Sequence, residues 1–438
     1  MRTKLLVMFA GLVVATSAWA GPQIQSWQAP SGARVLFVEN HDLPMLDVAV
    51  SFAAGSAYDT AEKSGLAALT HGLLDHGSVD LSEDEVAKQL ADVGAQLGGG
   101  FDPDRAAITL RTLSHARERG LALSILAQVV QQPVFPQAVI EREQARIVAG
   151  LKEAETHPEH LADKAFRAAV FGTHPYALSG SGEVATVGKL SRAEIEAFYS
   201  AHYLASGAVV ALMGDVTRAE AEAIAQQLTE RLPRSGANFS LPRVPALAAA
   251  SERRIPHPAK QSHVLIGAPG MSRSDPDYFA LYVGNYVLGG GGFVSRLMEE
   301  VREKRGLAYD VHSYFMPMQQ AGAFQIGLQT KGEQAEQALQ LVRKVLADFI
   351  AQGPTERELL AAKQNIVGGF PLRVDSNRKI LDYLSVIGFY HLPLDYLDAF
   401  PSKVERVTTA QVRAAFARHL DPARMATVLV GGGAGEPK

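Results

Sequence analysis

Runs of alternating apolar and polar residues predict β-strands at several points along the chain. This alternation is seen in ARVLFVEN (33–40) and MLDVAVSF (45–52), on either side of a break at Pro44. Further strands are predicted at AAITLRTLS (106–114), AVVALMGDV (208–216), QSHVLIGAPG (261–270), AGAFQIGLQT (321–330) and MATVLVGG (425–432). Helical patterns separate these strands, so the chain mixes both element types.

Apolar residues spaced three and four apart predict the helices. The stretch SGLAALTHGLLDHGS (64–78) has leucines at this spacing and predicts one amphipathic helix. Capping residues predict helix starts at Ser82–Glu85, Ser191–Glu194, Thr355–Glu358 and Thr408–Gln411. The first of these is expected to open a helix that includes EVAKQLADVGAQL (85–97), and a long helix is expected after Pro136.

The order of elements repeats in the second half of the chain. Residues 184–216 resemble residues 404–432, since both contain a capped helix, a turn and an apolar strand. We predict an α+β fold of two homologous domains, each an antiparallel sheet with helices packed on one face. The predicted ranges are 21–232 for the N-terminal domain, 233–252 for a Pro-rich linker and 253–438 for the C-terminal domain. Two unrelated domains with chance similarity are the alternative.

The composition and charge of the chain argue against some classes of function. The chain has 438 residues, a net charge of −4, 20% charged residues and no cysteine. The small charge and the lack of a long basic run argue against nucleic acid as a partner. Without cysteine there are no disulfides and no thiolate chemistry, so stability depends on core burial.

The first twenty residues have the pattern of a secretory signal peptide. Arg2 and Lys4 precede the apolar run LLVMFAGLVV, and Ala18-Trp19-Ala20 fits a cleavage site. We expect cleavage after Ala20 and export to the periplasm, with no stable membrane span in the mature chain. An uncleaved membrane anchor is the alternative.

His71, Asp75 and His76 form the only cluster near the N-terminus with metal-ligand character. Two ligands on one helix face must lie three or four residues apart, whereas these histidines are five apart. At about 100° per residue they point roughly 140° away from each other. His257, His263, His312 and His391 also lack metal spacing. A self-sufficient zinc hydrolase using His71, Asp75 and His76 is therefore kept only as an alternative.

The same stretch resembles the zinc helix of the pitrilysin, insulysin and mitochondrial processing peptidase family of inverted zincins. In that family the helix reads G-x-A-H-x-x-E-H. Anchored on Gly65 and Gly77-Ser78, the resemblance puts Ala68 and Gly72 at the two zinc histidines and His71 at the glutamate that activates water. Glu143 matches a glutamate on a later helix, and Gly150 takes the place of the third ligand. The resemblance therefore implies that this chain binds no zinc.

A second motif retains the family's residues. In SRLMEEVREKRGLAYDVHS (295–313), Arg302 and Tyr309 stand where active members place an arginine and a tyrosine. There the pair binds the substrate backbone and stabilises the tetrahedral intermediate, a role that suits a fixed cation and a phenol. The alternative is a surface ion pair of Arg302 with Glu299 or Glu303 and a core position for Tyr309.

Some bacterial members of this family are two-chain enzymes, and this sequence has the profile of the zinc-less chain. The resemblance implies a non-catalytic subunit, inactive alone, that forms half of a clamshell with a zinc-bearing homologous subunit and acts on peptides. Zinc is expected in that partner. The sequence leaves open a homodimer and a peptide-binding or assembly protein of the same fold. It also leaves open whether Gly289–Gly292 serves close packing or forms a flexible lip at the substrate chamber.

Overall fold

The computed structural model describes residues 22–234, 236 and 239–432. The predicted signal peptide, residues 1–20, lies outside these residues. Within the described residues, each helix is too short or too polar to cross a bilayer.

The N-terminal half is built around a six-stranded sheet. Its strands are β1 (Gln25–Gln28), β2 (Arg34–Glu39), β3 (Met45–Phe52), β4 (Gln96–Phe101), β5 (Ala106–Leu113) and β6 (Val209–Gly214). They lie in the order β1-β2-β6-β3-β5-β4, and only β2 and β6 pair in parallel. Its helices are α1 (Leu66–Gly72), α2 (Glu83–Asp92), α3 (Ala116–Gln131), α4 (Gln137–Ala154), α5 (Pro158–Phe171), α6 (Val184–Val187), α7 (Arg192–His202) and α8 (Arg218–Thr229).

The C-terminal half repeats this plan with five strands. They are β7 (Ser251–Ile255), β8 (Gln261–Pro269), β9 (Val311–Phe315), β10 (Ala323–Lys331) and β11 (Ala426–Val430), in the order β7-β11-β8-β10-β9. The helices are α9 (Tyr278–Asn285), α10 (Ala335–Gln352), α11 (Glu356–Gly368), α12 (Asn377–Phe389), α13 (Tyr396–Glu405) and α14 (Thr409–His419). A parallel pair, β7 and β11, again lies beside an antiparallel run. The α+β fold of two homologous domains is therefore confirmed.

One helix of each half packs against the sheet of the other half. Helix α12 packs on β6, β3 and β2, and helix α5 packs on β8 and β11. The inner strands consequently bury both faces: Val210 and Leu212 face the N-terminal core, while Val209 and Ala211 join the core that contains α12. Each sheet has the predicted layer of helices on one face. Its opposite face is covered by one helix from the other half.

Two helices are shorter than their periodicity predicts. The helix expected over 64–78 spans only Leu66–Gly72, and Gly65 before it has a left-handed φ of 97°. Beyond it, Ser78 forms a bridge with Pro133, which requires the chain to leave the helix. Helix α2 ends at Asp92 rather than Leu97, because Gly94 is left-handed with φ 63° and the chain then enters β4. All four predicted caps are present.

The stretch between the two sheets has little regular structure. Among its described residues, neither a helix nor a strand occurs between Thr229, where α8 ends, and Ser251, where β7 begins. Strand β7 thus takes the last two residues of the predicted linker, 233–252. The domain boundaries themselves stay a prediction.

Candidate functional site

Arg302 and Tyr309 lie on an irregular connection between α9 and the edge strand β9, here named the Arg302 segment (residues 286–310). It contains two π-helical turns, Tyr286–Gly290 and Met298–Glu303, and a short turn at Gly292–Val294. Turns of this kind are often found at functional sites. A Cβ on Gly289 would lie only 2.4 Å from Ser313 Oγ, so the glycine run lets the first turn pack closely on β9.

The guanidinium of Arg302 lies between two exposed aromatic rings. Its Cζ is 4.7 Å from the centre of the Phe293 ring and 5.2 Å from that of Tyr309. Arg302 Nη1 also lies 3.3 Å from Glu303 Oε1. Of the alternative considered from the sequence, the ion pair of Arg302 with Glu303 is present. Tyr309, however, is 82% exposed and lies outside the core. Cation–π contacts on both sides fix the cation beside an outward phenol.

This arrangement can bind an oxyanion or a peptide carbonyl presented from outside. A guanidinium with fixed orientation and a phenolic hydroxyl are both donors suited to developing negative charge. Phe293 and Val294, 68% and 75% exposed, extend the same surface with apolar groups. No sequence signal identified Phe293, because its contact with Arg302 depends on the fold of the glycine run.

The positions matched to the zinc ligands lie on α1 and α4 and offer no ligand atoms. Asp59 caps α1 by accepting hydrogen bonds from the backbone N–H groups of Gly65 and Ala67, both at 2.8 Å. A Cβ on Gly72 or on Gly150 would meet nothing within 4 Å. Zinc coordination needs imidazole, thiolate or carboxylate groups, so the residues present do not fit the family's zinc ion.

His71, at the position of the catalytic glutamate, is a packing residue. Its ring stacks on Phe101 of β4, with centroids 5.8 Å apart and planes 20° apart. Its Nδ1 is buried and has no hydrogen-bond partner among the described residues. Burial lowers the pKa of His71 to about 4, so the imidazole is neutral at pH 7.

Ion pairs join α2, α4 and the turn that follows α1, near the lost zinc site. His76 Nδ1 lies 2.7 Å from Glu83 Oε1, and Arg142 Nη2 lies 2.9 Å from the same oxygen. Arg142 and Arg146 both hydrogen-bond to Glu143, the retained family glutamate. Burial alone would raise the pKa of Glu143, but these two arginines outweigh it and hold the pKa below its usual value. The negative charge of Glu143 is thus balanced by arginines of the same helix.

His71, Asp75 and His76 do not converge on one point. Among the described residues, only Asp275, Asp277 and His419 are close enough together to hold a metal. The guanidinium of Arg418 binds both carboxylate oxygens of Asp277, at 2.8 and 2.9 Å, and neutralises that group. No spacing in the sequence identified this cluster, because His419 at the end of α14 reaches Asp275 and Asp277 only through the fold.

A cavity of about 530 Å³ lies between the two halves, above α1, and is here named the central cavity. Its lining includes Ala68, Phe101, Arg167, Tyr176, Met316 and Gln325. Strand β4 ends beside it and forms the free edge of the first sheet, with most of its residues exposed. Backbone groups on such an edge can pair with an extended peptide.

Comparisons with known proteins place this geometry in a family. Residues 34–182 match the family model described as insulinase (peptidase family M16), and residues 189–366 match the model described as peptidase M16 inactive domain. A crystal structure of a peptidase M16 inactive domain from Pseudomonas fluorescens is 38% identical, with a TM-score of 0.90, over 94% of this chain and 99% of that chain. The chain belongs to the peptidase M16 family.

Curated M16 relatives carry mixed descriptions. The chain is 27% identical to the non-peptidase homolog YmxG of Helicobacter pylori, over 94% of this chain and 93% of the relative. It is also 27% identical to the uncharacterized zinc protease ML0855 of Mycobacterium leprae, over 88% of this chain and 86% of the relative. With the lost ligand positions, these matches support an inactive M16-fold protein.

Proposed function

We propose that the chain is the non-catalytic subunit of a heterodimeric zinc metallopeptidase of the periplasm. In this proposal a homologous partner holds the zinc ion, and the two chains close around a peptide. Arg302 and Tyr309 bind the peptide backbone and stabilise negative charge as the bond is cleaved. The signal-peptide pattern of residues 1–20 supports the location.

The observation that carries this proposal is the outward presentation of Arg302. The side chain lies between Phe293 and Tyr309 at the surface, while this chain's own motif lacks the groups to hold a metal. Aromatic residues and arginine are enriched among the residues that contribute most to binding at protein surfaces. The central cavity and the free edge of β4 add a surface on which an extended substrate can lie.

Reconstitution tests the proposal. The mature chain is assayed on a quenched peptide library alone and with the zinc-motif homologue encoded nearest to it, and zinc is quantified in each chain. We expect activity only in the mixture, with zinc in the partner. Arg302→Ala and Tyr309→Phe should each lower kcat/KM by about 10²-fold, as for other oxyanion donors. Arg305→Ala, which removes a charge from the same segment, is the matched control and should retain activity.

Two results would contradict the proposal. One is zinc and activity in the isolated chain. The other is an active mixture that the Arg302 and Tyr309 variants leave unchanged.

A peptide-binding or assembly protein without a protease partner is the second candidate. The central cavity favours it, because its walls come from the two halves of this one chain. Under this hypothesis the isolated chain binds extended peptides, the mixture is inactive, and binding falls when β4 is blocked by Gly98→Pro.

A further inference from the structure

A second cavity between the halves, here named the basic cavity, has two arginines in its wall. Its volume is about 320 Å³, and its lining includes Arg34, Arg273 and His391 but neither aspartate nor glutamate. Within the described residues, neither of the two guanidiniums forms an ion pair with a carboxylate. The basic cavity shares no lining residue with the central cavity and includes none of the Arg302 segment.

Arg34 is held at the cavity by backbone pairing and by an imidazole. It begins β2, where its N–H donates to the Ala208 carbonyl oxygen at 2.9 Å, and its Nη1 contacts His391 Nδ1. Burial and the charge of Arg34 lower the pKa of His391, so the neutral ring can accept this hydrogen bond. His391 has a left-handed φ of 52°, a conformation that is uncommon outside glycine and is found more often at ligand and active sites.

Arg273 carries a donor with no acceptor. Its Nη1 donates to the Tyr278 hydroxyl at 3.3 Å, and its Cζ lies 5.4 Å from the ring centre of Tyr390. Its Nε is buried and has no hydrogen-bond partner among the described residues. A buried, unpaired donor on a cation is costly, and a water, an ion or a bound ligand can supply the missing acceptor.

Two carboxylates next to lining residues of this cavity have other partners. Asp275, next to the lining residue Ser274, lies 3.6 Å from His419 Nε2. Asp104 accepts hydrogen bonds from the hydroxyls of Tyr390 at 2.8 Å and Tyr176 at 2.6 Å. Neither carboxylate forms an ion pair with Arg34 or Arg273.

We propose that the basic cavity binds a carboxylate attached to an apolar group, such as the C-terminus of a peptide that ends in an aromatic residue. Guanidiniums match the planar carboxylate with paired hydrogen bonds. The rings of Tyr58, Phe389 and Tyr390 also line the cavity and provide apolar walls for the rest of the ligand. The volume lies at the small end of the range of about 300–1,000 Å³ seen for ligand pockets. This site goes beyond the proposed function, since it needs neither zinc nor a partner.

Titration calorimetry on the mature chain tests the site. The probes are N-acetyl-L-phenylalanine, its primary amide and inorganic phosphate. We expect the carboxylate to bind at least tenfold more tightly than the amide and more tightly than phosphate. Arg34→Gln and Arg273→Gln should each weaken carboxylate binding at least tenfold, whereas Arg117→Gln, the same charge change on an exposed arginine, should not.

Circular dichroism melts establish that each variant is folded, and Arg34→Gln, at the cavity edge, decides the test if Arg273→Gln unfolds. The proposal is overturned by equal binding of acid and amide, by phosphate as the tighter ligand, by unchanged binding in Arg34→Gln, or by no binding at millimolar concentration.

Discussion

At the scale of single residues, two buried groups at α1 respond to pH in opposite directions. Burial lowers the pKa of His71 to about 4 and raises the pKa of Asp59 to about 7. As pH falls from 6.5, the unfolded chain protonates its histidine first, so His71 reduces stability. Over the range from 7 to about 4 the folded chain retains the Asp59 proton that the unfolded chain loses, so Asp59 adds stability as pH falls.

In a variant without His71, the gain in stability from Asp59 at lower pH should therefore no longer be opposed. Between pH 6.5 and 5, His71→Gln is expected to gain about 2 kcal/mol in unfolding free energy relative to the parent chain, at about 1.36 kcal/mol per pH unit. Urea unfolding at both pH values measures the difference. His157→Gln, at the exposed position before α5, is the control variant. An equal response of both variants would contradict the buried, neutral state of His71.

At the scale of elements, the contact of α12 with the first sheet depends on one glycine. A Cβ on Gly388 would lie 2.4 Å from Val209 Cγ1 and 2.7 Å from Leu36 Cδ1. Gly388→Ala should therefore destabilise the chain by about 1–3 kcal/mol through overpacking. Gly368→Ala in α11 meets nothing within 4 Å and should be neutral or stabilising, because alanine favours helix. The shift of the denaturant midpoint at constant m-value gives the change in stability of each variant. Equal midpoints for Gly388→Ala and Gly368→Ala would exclude the close packing of Gly388.

Restoring the lost groups on α1 and α4 tests how these helices are matched to the family. The variant Ala68→His, His71→Glu, Gly72→His, Gly150→Glu places two histidines one helical turn apart and adds the third ligand. Gly72 and Gly150 have open space for side chains. We expect about one zinc per chain by elemental analysis, and much less when Gly150 is left unchanged. Equal zinc content in the two variants would mean that position 150 is not the ligand position.

Elements whose signal is local were predictable from sequence, and elements fixed by distant contacts were not. The four capped helices and strands such as β5, β6 and β8 follow from neighbouring residues. Strand β4 contains Gly98, Gly99 and Gly100, which have no strand preference, and it exists because β5 pairs with it. At the candidate site, the motif singled out Arg302 and Tyr309, whose role stays a prediction. The stack with Phe293 could not be foreseen, because it depends on tertiary packing across the glycine run.

At the scale of the whole molecule, the exchange of α5 and α12 joins the halves into one folding unit. Neither sheet can bury both faces within its own half, since each needs a helix from the other. The buried carboxylate of Asp104 adds hydrogen bonds across the same boundary, from Tyr390 and from the backbone N–H of Gln319 at 2.7 Å. The halves are therefore structurally dependent on each other despite their similar topology.

We expect the mature chain to unfold in a single transition with equal calorimetric and van't Hoff enthalpies. The isolated segment 21–232 should not fold stably, because the face of β6 that α12 covers would be exposed. Differential scanning calorimetry of the chain and of the segment checks both. Two separate transitions, or a cooperative melt of the segment, would show that the halves are independent.

The exchange of helices also determines when, during synthesis, the first sheet can be covered on both faces. Strand β6 ends at Gly214 and α12 begins at Asn377, so a ribosome adding about 5–20 residues per second needs roughly ten seconds or more to supply the missing helix. Until then the first sheet has one apolar face without cover. Native packing of the first sheet is thus delayed until synthesis is nearly complete. This delay suits the export that we propose, because a secretion channel takes an unfolded chain.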